Sequence, residues 1–99
     1  MATVRLKLDD KGQGAFLLSE NNVELGKMIV ELNSTELTVY HTEVISEAEG
    51  KGYAKQLLAA MVSYVRDHNL HLIPLCPYVL SQFRRHPDQY TDVWHKQSV

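Results

Sequence analysis

Hydrophobic and polar residues alternate through the first half of the chain, and then the period changes. Val4, Leu6 and Leu8 alternate with Arg5, Lys7 and Asp9, the two-residue repeat of a half-buried strand. Residues 9–12 read as a turn, and residues 14–19, with Phe16, Leu17 and Leu18, as a second short strand. Asn21 and Asn22 suit a hairpin because asparagine tolerates positive φ. Residues 23–32 follow, with Met28, Val30 and Leu32 on one face and Gly26 at the position for a bulge. After a turn at Asn33 and Ser34, residues 36–45 are rich in β-branched side chains, which favour a strand. Short connections between neighbours predict an antiparallel meander.

From Tyr53 the spacing becomes helical. Tyr53, Leu57, Met61 and Val65 form one ridge, and Ala54, Leu58 and Val62 the next, giving a broad apolar face. Arg66 and His68 fall in the last turn, and Asn69 marks the stop. Residues 70–75 are nearly all apolar, which predicts a strand covered on both faces. The crossover from residues 36–45 through the helix to this strand reads as a β-α-β unit with a parallel pair. Pro77 suits the first position of a second helix reaching His86. Pro87 ends it, residues 88–94 form a last helical turn or two, and residues 95–99 fray. The expected fold class is mixed, α+β passing into α/β: an N-terminal meander, a β-α-β unit and a C-terminal helix.

Composition changes this picture little. Ninety-nine residues, 44% hydrophobic and 22% charged, suit one domain over residues 1–99 with a single modest core. A formal net charge of −2 provides no whole-chain field for nucleic acid or anionic lipid. No apolar run approaches the roughly 20 residues of a membrane span, and no signal-peptide pattern opens the chain. One cysteine cannot make an internal disulfide, which fits a cytoplasmic location. Neither nucleic acid nor membrane is expected as a partner. The histidines lack metal-ligand spacing with Cys76, so no metal site is expected.

The stretch Ser46-Glu47-Ala48-Glu49-Gly50-Lys51-Gly52-Tyr53-Ala54 joins the last meander strand to the helix. Two glycines one residue apart let the backbone turn tightly and approach a ligand closely. The first helical amides are unpaired and partly positive, so an anion such as phosphate can sit there. The same letters admit a ligand-free start, because Ser46 and Glu49 have the spacing of a capping box.

Two further sets of groups could do chemistry. Cys76 stands immediately before Pro77, at the expected N-cap of the second helix, where amides favour a thiolate. It could equally be a small buried filler. His41 and Glu43 are two apart on one strand and so share a face, which simple alternation assigns also to Leu37, Val39 and Ile45. Either could act as a general base near the glycine turn, or both could be ordinary strand-end residues. Tyr78, Tyr90 and Trp94 read as packing residues.

The segments Val39-Tyr40-His41-Thr42-Glu43-Val44, then Gly50-Lys51-Gly52-Tyr53-Ala54-Lys55-Gln56-Leu57-Leu58, then Leu72-Ile73-Pro74-Leu75-Cys76-Pro77-Tyr78-Val79, in this order, resemble the small GCN5-related N-acetyltransferase-like family. These are minimal members of the GNAT superfamily, and the likeness spans nearly the whole chain. It implies a truncated GNAT-like fold in which two central parallel strands splay apart. It implies acetyl-CoA as cosubstrate, with the pyrophosphate on the amides of residues 49–53 and Ala54 beside them. The pantetheine arm would lie against Thr42, Glu43 and Val44, with Cys76 near the thioester. The reaction implied is acetyl transfer to an unidentified amine, with His41 or Glu43 as base and Cys76 as nucleophile or proton donor. A coenzyme A-binding module with little turnover is the alternative. Two features depart from the broad GNAT pattern. Glu47 stands where Gln or Arg is usual, with Lys51 and Lys55 near enough to offset it. The helices that normally follow the first strand, and recognise the acceptor, are replaced by the 9–12 turn.

Overall fold

The computed structural model describes residues 2–95. Five strands form one sheet in the order β1-β2-β3-β4-β5. They are β1 (Thr3–Leu8), β2 (Gln13–Glu20), β3 (Val23–Leu32), β4 (Glu36–Val44) and β5 (His71–Pro74). The first four pair antiparallel as a meander, and β5 pairs parallel to β4. Between β4 and β5 lie a short 3-10 turn (Ser46–Ala48) and the helix α1 (Tyr53–Asp67); α2 (Pro77–Arg85) and α3 (Pro87–Tyr90) follow β5.

The local chemistry accounts for these boundaries. Asn21 and Asn22 both adopt positive φ, 55° and 64°, the backbone of a tight hairpin turn whose twist matches the strands it joins. The Asp9 carboxylate accepts the amides of Lys11 and Gln13, each at 2.9 Å, so the β1–β2 connection is a compact Asx-type turn. Asn69, at φ 54°, stops α1, and Pro77 opens α2.

One core unites the sheet and helices. Phe16, Leu18, Met28, Val30, Leu37, Val39 and Leu72 meet Leu57, Met61 and Val65 of α1 and Val79 and Phe83 of α2. Contact between α1 and the sheet is close at Gly26: a Cβ there would stand 3.2 Å from Val44 Cγ2 and 3.3 Å from Leu57 Cδ1. The opposite sheet face, with Arg5, Lys7, Lys27 and Ile29, is exposed or half-buried.

Three expectations change. First, β4 is bulged: Ile29 pairs with His41 but Val30 pairs with Val39, which leaves Tyr40 as the extra residue. One added residue reverses the inward parity. Leu37 and Val39 point into the core, but beyond the bulge Thr42 and Val44 take that direction, while His41 and Glu43 turn to the open face. His41 and Glu43 therefore still share a face, though not the one of Leu37 and Val39. Second, β5 is covered mainly on one face: Leu72 and Pro74 are buried, Ile73 is half-buried and His71 is exposed. Leu75, past the strand end, is 55% exposed. Third, the chain after α3 returns to the sheet. Leu72 donates its amide to Val93 O at 2.7 Å, and His95 donates to Leu72 O at 2.9 Å, which forms a parallel bridge between Leu72 and Trp94. The fraying expected for 95–99 does not apply at His95; residues 96–99 lie outside the described residues.

Candidate functional site

The bulge at Tyr40 sets the point where β4 and β5 part. Their pairing runs only from Glu36–His71 to Val39–Pro74. There the Val39 carbonyl accepts two amides, from Leu75 at 3.0 Å and Cys76 at 2.9 Å. This double acceptance closes the ladder and turns the chain into α2. Residues 40–44 continue alone, paired to β3 on one side and with no strand opposite them on the other among the described residues. The bulged residue is tied outward: the Tyr40 hydroxyl donates to Glu31 Oε1 at 2.8 Å, and that bond raises its pKa.

Cys76 occupies the N-cap of α2. The residue is 1% exposed, and its thiol lies 3.2 Å from the Thr42 hydroxyl. The bulge makes this contact possible, because it turns Thr42 toward the gap. Sulfur and hydroxyl can each donate in such a pair.

The glycine turn forms the other wall. Gly50 and Gly52 both sit at φ 80°, a left-handed backbone that costs other L-residues roughly 1–2 kcal/mol. A Cβ at either glycine would meet nothing within 4 Å, so backbone conformation rather than space calls for glycine here. Gly52 is the N-cap of α1 with no side-chain cap. The capping box is not formed, because the Ser46 hydroxyl donates to the Glu47 carboxylate instead. That bond holds the Glu47 carboxyl below its ordinary pKa. Glu49 N–H donates to Ser46 O at 3.3 Å, and Gln56 N–H donates to Gly52 O at 3.1 Å. Between these two, the amides of residues 50–55 have no protein acceptor among the described residues. Of the amides expected to form the cradle, that of Glu49 is engaged within the turn, and those of residues 50–53, with Ala54 and the further residue Lys55, are unpartnered. A crevice of about 460 Å³ opens on these amides, walled by Val44, Ala48, Tyr53, Lys55 and Tyr78.

His41 and Glu43 stand outside this crevice, on the open sheet face. Glu43 lies 3.3 Å from Lys27 Nζ and 3.7 Å from His41 Nε2, and both side chains of the His41–Glu43 pair are more than half exposed. Val44 and the turn line the crevice, while Thr42 meets Cys76 at the gap between β4 and β5; His41 and Glu43 lie on the other side of β4. No group of three or more potential metal-ligating side chains occurs among the described residues, and no helix there is long and apolar enough to cross a membrane.

Tyr78 reads from the sequence as a packing residue, and its place in the site is new. Its hydroxyl is buried and has no hydrogen-bond partner, although the ring lines the crevice. Leaving such a group unpaired costs about 1–3 kcal/mol. Burial pushes its pKa up, assisted by the nearby Tyr90 and Cys76. Its place two residues after Cys76, in the first turn of α2, is the only sequence signal for this role.

A split pair of parallel strands, with the N-terminus of α1 beside it and no side chain capping that end, is the frame of the site. Comparison with known proteins specifies it. The family model described as GCN5-related N-acetyl-transferase matches residues 15–93. The fold superposes on a ribosomal-protein-alanine N-acetyltransferase from Brucella melitensis biovar Abortus 2308 with a TM-score of 0.70 at 15% identity, covering 99% of this chain and 94% of that one. A GCN5-like putative N-acetyltransferase structure from Staphylococcus aureus is 27% identical, with a TM-score of 0.66 over 95% of this chain and 90% of that one. A GNAT family acetyltransferase from Elizabethkingia anophelis, solved with acetyl-CoA bound, gives a TM-score of 0.65 at 11% identity, covering 89% of this chain and 74% of that one. No curated protein sequence matches significantly. The chain belongs to the GCN5-related N-acetyltransferase family.

Proposed function

We propose that the protein transfers an acetyl group from acetyl-CoA to an amine. The observation that carries this reading is the run of unpartnered amides at residues 50–55, facing a crevice that adjoins the gap between β4 and β5. A pyrophosphate is the natural occupant of such amides. The pantetheine arm would then follow the strand edge past Val44 and Thr42, and the thioester would come to rest near Cys76. The amine nitrogen attacks the thioester carbonyl and the C–S bond breaks. The amine proton goes to a base, and the departing thiolate takes a proton.

The open face of β4 is the side from which an amine could approach without crossing the cofactor. His41 is the first choice for base and Glu43 the second, because both flank the split strand from that side. A neutral imidazole accepts a proton near neutral pH, and Lys27 already engages Glu43. Thr42 and Cys76 together can relay a proton to the leaving sulfur. Attack by Cys76 itself, giving an acetyl-cysteine, is the competing route. The buried position of the thiol favours the proton-donor role.

A titration with acetyl-CoA read at each backbone amide tests the reading. Shifts concentrated at residues 50–55 are expected, with a rise in melting temperature; unchanged signals there would remove the foundation of the proposal. Intact mass after turnover separates the routes, since only the covalent one leaves an acetyl group on Cys76. Cys76→Ala should retain binding and lose most transfer.

A second reading, a coenzyme A-binding module with little turnover, is favoured by the short Asp9-anchored turn in the place where larger relatives carry acceptor-binding helices. Release of free coenzyme A with a panel of amines would exclude it.

A further inference from the structure

We infer that the Tyr78 hydroxyl is a ligand-positioning group that hydrogen-bonds the pantetheine arm of the bound thioester. This rests on the acetyl-CoA reading above. The hydroxyl is buried and unpartnered, yet it belongs to a side chain that walls the crevice beside the free amides. Buried hydroxyls are nearly always bonded, so an orphan buried behind a side chain that walls a cavity points to a partner that arrives when the ligand displaces the ring. The protein groups nearest in charge, Tyr90 and Cys76, do not bond it, and Cys76 is already engaged with Thr42.

Position selects the arm rather than the phosphates. Tyr78 follows the N-cap Cys76 by two residues on α2, so it stands on the β5 side of the crevice. The free amides stand on the α1 side. The arm must pass between these walls to bring its thioester to Cys76, and it carries amide groups that can both accept from and donate to a phenol. A phenol is protonated, and so able to donate, across the neutral range, and burial pushes the Tyr78 pKa in the same direction.

Removing only the oxygen tests this. Tyr78→Phe fills the same space without a polar atom to bury. The ligand-free variant is expected to melt at the same temperature as the wild type or higher. Its affinity for acetyl-CoA by calorimetry is expected to fall about five- to tenfold. Tyr90→Phe, on the neighbouring ring, should leave that affinity unchanged. Unchanged affinity in Tyr78→Phe, or equal losses in both variants, would overturn the assignment. A lowered melting temperature of the ligand-free Tyr78→Phe protein would overturn it too, because that would show the hydroxyl serving the fold. Failure of the wild type to bind acetyl-CoA is a separate outcome, and it would overturn the functional reading together with this assignment.

Discussion

Residues 36–39 and 40–44 are two halves of one strand, and they differ in almost every respect that matters. The first half is hydrogen-bonded on both sides, to β3 and to β5, and buries Leu37 and Val39 completely. The second half keeps β3 and loses β5, and its inward residues, Thr42 and Val44, are only half-buried. The switch between them is one surplus residue, Tyr40. Interior strand sites normally consume their backbone bonds and bury their side chains for stability. By stopping that consumption midway, the bulge leaves a stretch of strand held by β3 on one side and with no strand opposite it on the other among the described residues. Burial comes from the first half and an open edge from the second.

This contrast can be tested by truncation. Leu37→Ala, in the doubly paired half, should cost about 2–5 kcal/mol in urea unfolding. Val44→Ala, in the singly paired half, should cost only about 1 kcal/mol while weakening acetyl-CoA binding. The reverse ranking would show that both halves serve the core alike. His41→Ala comes next: stability should stay within about 0.5 kcal/mol, as for other exposed surface sites. The acid limb of the pH–rate profile should flatten, because the group that must be deprotonated there is gone. A limb of unaltered slope would pass the role of base to Glu43. The smallest effect on function belongs to a region outside both halves. Arg66 donates to Asp92 at 2.8 Å and 3.2 Å, which lowers the Asp92 pKa. A depressed carboxyl contributes stability above its unfolded pKa and loses it as pH falls through the folded one. Asp92→Asn should therefore cost up to about 1 kcal/mol at neutral pH, discounted for exposure, and nothing at strongly acidic pH. Acetyl-CoA binding should be indifferent to it.

Much of this was visible in the letters. The alternation of Val4, Leu6 and Leu8, the paired asparagines and the helical ridges from Tyr53 onward are local signals, and each formed the element it predicts. The glycine turn was legible because Gly50 and Gly52, one residue apart where a strand gives way to a helix, mark a backbone that other residues resist. The bulge was not. Tyr40 is a good strand former, and its side chain is exposed, so its letter fits regular alternation as well as a surplus position. Only pairing with β3 reveals the extra residue, and without it His41 and Glu43 are assigned to the wrong face. The covering of β5 was misjudged for a related reason: an apolar run such as Leu70 to Leu75 does not say where the strand stops, and Leu75 falls past the end. Tyr78 was hidden more deeply still, since an unbonded hydroxyl is a property of everything that fails to surround it.

The return of residues 93–95 to the flank of β5 has a bearing on how this chain meets others. A sheet has two margins, and each is a template on which a foreign extended segment can zip. Here one margin is already occupied by the chain's own residues at Leu72. The other belongs to β1, where Arg5 and Lys7 alternate along the strand, and cationic side chains on a margin discourage such zippering. Together the two arrangements work against edge-to-edge pairing at these two margins.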